Sequence, residues 1–427
     1  MKLELGKINI EEVEFDSENR IENNKLIIDK DGLWEKVKED HRIKSIDFDI
    51  VRPGDKTRII PVKDVIEPRC KVEGGQMFPG FLGSDELVGS GKTKALANTA
   101  VVTTGDVVGY QEGIIDMSGP GADYTPFSET INIVLDCEVE DDIKDHEHEE
   151  VLRLLGLTAA HYIGQAARNV EPDEITEYEH KPLLEACAMN GGLPNVGYVY
   201  MLQSQGLLHD TYVYSVDAKE ILPTTISPTE VMDGAIVSGN CVSACDKNTT
   251  YFHQNNPIIE ELYKKHGEEI NFVGTIITNE NVTLADKERS SSYVARLAER
   301  IGLEAAIISE EGFGNPDADL IMNCKKLEDK GIDTVLITDE YAGRDGASQS
   351  LADSTPEADA VITAGNANEV IELPAMDKVI GREEFADSMA GGFEGSLRDD
   401  GSIKVELQAI IGATNELGYT QLTAREF

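Results

Sequence analysis

The chain has 427 residues, 40% of them hydrophobic, and a formal net charge of -42 from 38 basic and 80 acidic side chains. That length and composition predict a globular protein of two or three domains with ample core, and the charge argues against nucleic acid or an anionic membrane as a partner. No apolar run reaches the length of a membrane span, residues 1–6 carry no apolar signal-peptide core, and six cysteines over this length fit a reducing cytoplasm. The acidic residues are spread along the chain, which makes them a solvated surface. Such a surface repels itself at low ionic strength and is relieved by salt, whose screening length is about 10 Å or less, which points to a salt-accumulating host, an ordinary acidic cytoplasmic protein being the alternative.

In chain order, residues 1–70 read as β-rich, with short strand signals at 26–28 and, strictly alternating, at 46–50. Arg52-Pro53-Gly54-Asp55 is a turn. The run 58–69 follows, and its prolines suit edges and loops better than a central strand. Residues 74–92 form a glycine-rich loop containing Gly89-Ser90-Gly91-Lys92-Thr93. A phosphate loop needs glycine where Glu86 stands, and a clean strand before it; a plain loop leading into a helix or strand over 94–102 is the simpler reading. Residues 116–128 make a loop fixed by glycine and proline between β-like runs at 101–108 and 130–137. Residues 147–169 have a helical stripe of Val151, Leu154, Leu155, Ala159, Tyr162 and Ile163, with His161 packed beside it. A helical piece at 182–187 ends at Asn190-Gly191-Gly192-Leu193-Pro194. Residues 198–203 and 211–216 read as a hairpin around Gln205-Gly206, and a short helix spans 229–234.

Beyond residue 255 the pattern becomes β-α-β. Helices are expected at 258–266, 285–301 and 317–330, and strands at 270–277, 304–309, 334–338 and 360–363. The predicted fold class is α/β: a β-rich mixed N-terminal region, then a doubly wound, mostly parallel sheet. Ligands of such sheets sit at the carboxyl ends of the strands, here the loops Asn279-Glu280-Asn281, 310–315 and Asp339-Glu340-Tyr341. Gly312-Phe313-Gly314 lacks the third glycine of a dinucleotide fingerprint.

Near the middle lies Ser238-Gly239-Asn240-Cys241-Val242-Ser243-Ala244-Cys245. Three readings fit these residues. Cys241 and Cys245 can be two buried structural cysteines, or a redox pair or metal ligands together with His253. Alternatively, the Cys241 thiolate attacks the preceding carbonyl and turns the amide into a thioester, with Gly239 giving the backbone the freedom the attack needs. β-Elimination then leaves dehydroalanine, which hydrolyses to a pyruvoyl group.

With these residues in hand, the chain resembles the pyruvoyl-containing alpha/beta precursor subunit of component B of glycine, sarcosine and betaine reductases over nearly its full length. The likeness is carried by Pro61-Val62-Lys63-Asp64-Val65-Ile66-Glu67-Pro68-Arg69, residues 116–128 and 238–245, His253-Gln254-Asn255-Asn256-Pro257 and residues 310–315. D-proline reductase has a related precursor. The resemblance implies an oxidoreductase precursor that splits at Asn240-Cys241 into residues 1–240 and 241–427, with Cys241 becoming the pyruvoyl cofactor and no metal. It implies capture of a primary or secondary amine substrate as an iminium, which the quaternary nitrogen of betaine cannot form. It also implies partners: a selenocysteine-containing component B subunit, the selenoprotein component A and the acetyl phosphate-forming component C. Asn240, Cys241, Cys245 and His253 are the candidate catalytic residues. His253 suits proton transfer because a histidine's ordinary pKa is about 6.5. A thiol redox protein using Cys241 and Cys245, and a non-catalytic subunit that recruits the selenoprotein, are the alternatives.

Overall fold

The computed structural model describes the chain except residues 74–75, 85–86, 107, 109–111, 189–190, 207, 209–210, 240–242, 420–422 and 426–427. Two large sheets set the architecture. The first is a six-stranded mixed sheet in the order Gly113–Asp116, Thr57–Ile66, Thr99–Gly105, Ile131–Val139, Ile43–Val51, with Lys378–Gly381 alongside Thr57–Ile66. The helix Asp145–Gly164 lays Val151, Leu155, Ala159 and Ile163 on it, in one buried cluster with Ile66, Val101, Ile133 and Leu135. This helix stops short of residue 169 and tightens into the 3₁₀ turn Gln165–Ala167. A four-stranded sheet, Glu174–Glu179, Lys2–Asn9, Gly91–Ala97 and Arg69–Lys71, stands beside it.

One expectation changes here. Thr57–Ile66 is buried along its whole length and paired on both sides, so its proline does not confine it to an edge. Pro61 falls next to register shifts in both ladders, where a missing N–H takes nothing from the pairing. Gly91 opens a strand, Gly91–Ala97, one of the two outcomes expected after the loop. The would-be phosphate donors serve Asp233 instead: Gly89 N donates to Oδ2 at 2.8 Å, Thr93 Oγ1 to Oδ1 at 2.6 Å, and Lys71 Nζ joins them.

The second sheet has seven strands in the order Thr224–Ile226, Asn271–Asn279, Asn195–Leu202, Ala305–Glu310, Asp333–Glu340, Val361–Asn366, Thr423–Arg425. The five inner strands are parallel and the two edges antiparallel. The helices Leu284–Ile301 and Asp317–Glu328 share one apolar cluster with the first face, while Thr250–Gln254 and Pro257–Lys265 cover the other through Phe252, Ile258, Ile259 and Leu262. The helix Leu284–Ile301 has plain causes: the Thr283 side chain accepts from Asp286 N at its start, and Gly302, at φ 71°, ends it. The α/β class with a mostly parallel C-terminal sheet is as the sequence predicts.

The hairpin expected over 198–203 and 211–216 is not formed. Asn195–Leu202, with every residue buried, lies between two parallel neighbours at the centre of the large sheet. A continuous apolar run is what a strand covered on both faces demands. Tyr212–Val213 pairs with Val216–Asp217 and Ile236–Val237 in a separate small sheet. The chain is therefore interlaced across position 240. Asn195–Leu202 and Thr224–Ile226 sit in a sheet built mainly from later residues, and Lys378–Gly381 joins the N-terminal sheet. No helix among the described residues is long and apolar enough to cross a membrane.

Candidate active site

Along the large sheet the inner strands read, in chain order, second, first, third, fourth, fifth. The connections leave Asn195–Leu202 in opposite directions, which makes its junction with Ala305–Glu310 the switch point where open α/β sheets bind ligands. The segment that follows residue 242 crosses this carboxyl edge. Asn248 N donates to Glu311 Oε1 at 3.2 Å, and the other Glu311 oxygen accepts from Gln203 N at 3.1 Å and Thr211 Oγ1 at 2.9 Å. Asn248 Nδ2 donates to Glu416 Oε1 at 2.6 Å and Asn415 Nδ2 to Asn248 Oδ1 at 2.8 Å. Close packing seats Ala244: a side chain at Gly113 would meet its Cβ at 2.3 Å, and Gly412 N donates to its carbonyl at 2.9 Å.

Asn240 and Cys241, the predicted cut site, lie outside the described residues together with Val242. The residues on both sides are buried and tied down. Ser238 N donates to Thr250 Oγ1 at 3.0 Å, and Thr250 in turn gives its N–H and hydroxyl to Asp64 at 2.9 and 2.6 Å. On the far side Ser243 Oγ donates to Gln408 Oε1 at 3.3 Å. Lys247 reaches the carbonyl of Lys63, and Lys63 Nζ holds Glu112 Oε1 at 2.5 Å.

His253 and Cys245 are both completely buried. His253 Nδ1 shares a hydrogen bond of 2.7 Å with the Tyr200 hydroxyl, and its Nε2 has no partner. Burial, and after it the charge of Lys247, pushes its pKa down to about 3, so the ring is neutral at physiological pH. Cys245 is a free thiol 3.5 Å from Asp246 Oδ1 and 4.0 Å from Asp339 Oδ2. Burial first, then the two carboxylates, pushes the thiol well above its ordinary range.

The sequence reading named the strand-end loops as the ligand edge but did not single out their buried acids as site residues. Glu280, Glu310, Glu311 and Asp339 stand at the ends of three parallel strands, with Asp246 and Glu416 beside them, all buried. Both oxygens of Glu280 are unpartnered, as are Glu310 Oε1, Asp339 Oδ1 and Asp246 Oδ2. Burial raises every one of these groups, Glu311 to about 7, and neighbouring carboxylates add to it for Glu280, Glu310 and Glu416. The signal was available: a carboxylate directly after an apolar strand, at the edge where ligands bind.

Buried carboxyls with raised pKa values at the carboxyl edge of a parallel α/β sheet mark this edge as the candidate site. The family model for "Glycine/sarcosine/betaine reductase component B subunits" matches residues 1–425, and the chain belongs to this family. It is 62% identical over 430 residues to the "Glycine reductase complex component B subunits alpha and beta" of Acetoanaerobium sticklandii, covering 100% of both chains. It is 55% identical over 426 residues to the "Sarcosine reductase complex component B subunit alpha" of Peptoclostridium acidaminophilum, again covering 100% of both. The "D-proline reductase proprotein PrdA" of Acetoanaerobium sticklandii is 24% identical over 354 residues, 76% of this chain and 53% of that one. No solved structure matches. The chain is thus a component B subunit of a reductase complex.

Proposed function

We propose that the chain is a precursor that cuts itself between Asn240 and Cys241 and then serves as the amine-binding subunit of a glycine-type reductase. One observation carries this reading. A glycine reductase relative matched end to end is named for two subunits, alpha and beta, in one polypeptide. The word proprotein in the name of the D-proline reductase relative supports it. A pyruvoyl group on residue 241 would supply an electron sink for an amine substrate. One observation on the segment that follows fits such a group: the orphaned Nε2 of His253 is buried there. Asp64, through Thr250, fixes the backbone of Ser238 on the upstream side of the cut. His253, neutral and held by Tyr200, is a relay that takes up a proton and returns it at once. Glycine is the favoured substrate, on 62% against 55% identity. A selenocysteine-containing component B subunit, the selenoprotein component A and component C complete the reaction.

Mass spectrometry and a denaturing gel of protein from its native host test this directly. Two pieces, 1–240 and 241–427, are expected, and Cys241→Ala is expected to stay whole. An intact wild-type chain in an active preparation would overturn the processing.

A further inference from the structure

We propose that Cys245, Asp246 and Asp339 form a binding site for a divalent first-row transition-metal ion. One donor atom from each lies within 4.8 Å of the others, and all three residues are fully buried. The three come from two places in the fold, the segment after the cut site and the end of the strand Asp333–Glu340. His253, which the sequence offered as a fellow ligand, belongs to no such group among the described residues.

The second observation is that the site is unfinished. Asp246 Oδ2 and Asp339 Oδ1 are buried and have no hydrogen-bond partner. Ionised, each is a buried charge lacking a donor, which costs several kcal/mol. Protonated, each is an O–H lacking an acceptor, which also goes unsatisfied. An ion held by the thiolate and one oxygen of each carboxylate removes the need for either uncompensated state. The charges around the site do not supply the balance. Glu310, Glu311, Asp317 and Glu416 act on it and are acidic, while Lys247 donates to the Lys63 carbonyl and Lys287 is held by Asp319. Thr414 donates its hydroxyl to Asp339 Oδ2 at 3.1 Å, as a group that orients a metal ligand does.

The donor set selects the ion. A thiolate beside two carboxylates suits zinc, iron(II) or cobalt(II) over magnesium and calcium, which take oxygen donors. Three protein ligands leave a fourth position open, the pattern of sites that bind a further small ligand. On binding, the Cys245 thiol gives up its proton to solvent and the sulfur becomes the third anionic ligand, so three negative charges meet two positive ones.

The test is metal content and spectroscopy of the purified full chain. After chelator dialysis, inductively coupled plasma mass spectrometry is expected to find one tightly held ion per chain. Protein expressed with cobalt is expected to show a thiolate-to-cobalt charge-transfer band. Cys245→Ser is expected to abolish that band, and Asp339→Asn, which removes a direct ligand, to weaken cobalt binding by more than the ~10–100-fold that loss of an outer-shell partner costs. Asp339→Asn keeps the shape and removes a charge, and its circular-dichroism melt separates loss of metal from loss of fold. A wild-type chain with no stoichiometric ion overturns the site, and so does a cobalt band that survives both substitutions.

Discussion

In the N-terminal sheets Arg58 grips Asp116 with two bonds of 2.7 and 2.8 Å, Arg69 holds Glu67 at 2.6 Å, and Lys63 holds Glu112 at 2.5 Å, all buried. At the carboxyl edge of the parallel sheet, equally buried acids face one another with oxygens left over. The contrast shows in one pair of groups. Burial opposes ionisation of Glu112, yet the Lys63 charge and hydrogen bond hold it at about 2, whereas burial, and after it the neighbouring carboxylates, pushes the unpartnered Glu280 well above its ordinary range. A paired acid fixes architecture. An unpaired one keeps its interaction for whatever arrives, and the fold bears the cost of holding it.

Breaking a pair on the architectural side has the largest expected effect. Arg58→Met leaves Asp116 without its cation, and the chain is expected to lose about 3–5 kcal/mol in denaturant unfolding. A loss below about 1 kcal/mol, the range of exposed pairs, would place these pairs with surface bridges and erase the comparison. Next comes His253→Gln, which removes the neutral relay: turnover with partner components is expected to fall by ~10²-fold while chain cleavage and the melting temperature hold. Equal falls in turnover and in melting temperature would make His253 a packing residue.

Glu280→Gln sharpens the other side. The folded pKa of Glu280 lies well above 4.5 because of burial and then its neighbouring carboxylates. Its contribution to stability is therefore complete below about pH 4.5 and is lost as pH rises through the folded value. Relative to wild type, the variant is expected to gain stability as pH rises from about 5 to about 8, by up to about 1.4 kcal/mol per unit. Parallel melting curves across that range would mean that Glu280 has a partner after all. The smallest effect belongs to the surface. The net charge of -42 predicts a melting temperature that rises with potassium chloride, and a flat response would remove the inference of a salt-rich host.

How much of this was legible depends on the range of the interactions. Local signals carried the helix Leu284–Ile301, where cap, stripe and terminal glycine are all near in sequence. They also carried the loops at the strand ends. Asn195–Leu202 was misread because alternation and turn residues after it suggested a local partner, while its true neighbours start at Asn271 and Ala305. The bonds from Asp64 to Thr250 and the approach of Asp339 to Cys245 span 186 and 94 residues. Such juxtapositions exist only once the sheets are formed, so spacing alone could not assign them.

The central strand Asn195–Leu202 is clasped between Asn271–Asn279 and Ala305–Glu310. A cut at residue 240 would thus divide one covalent chain without dividing one folded body. The order of events follows: the strand must be threaded before the bond is broken, since afterwards it could find its place only by a second-order encounter. The two products would be born in equal number and have no pool from which to exchange. They should travel as a single species on size exclusion in buffer and as two in urea. A gene split at this point would have to solve an assembly problem that the continuous chain never meets.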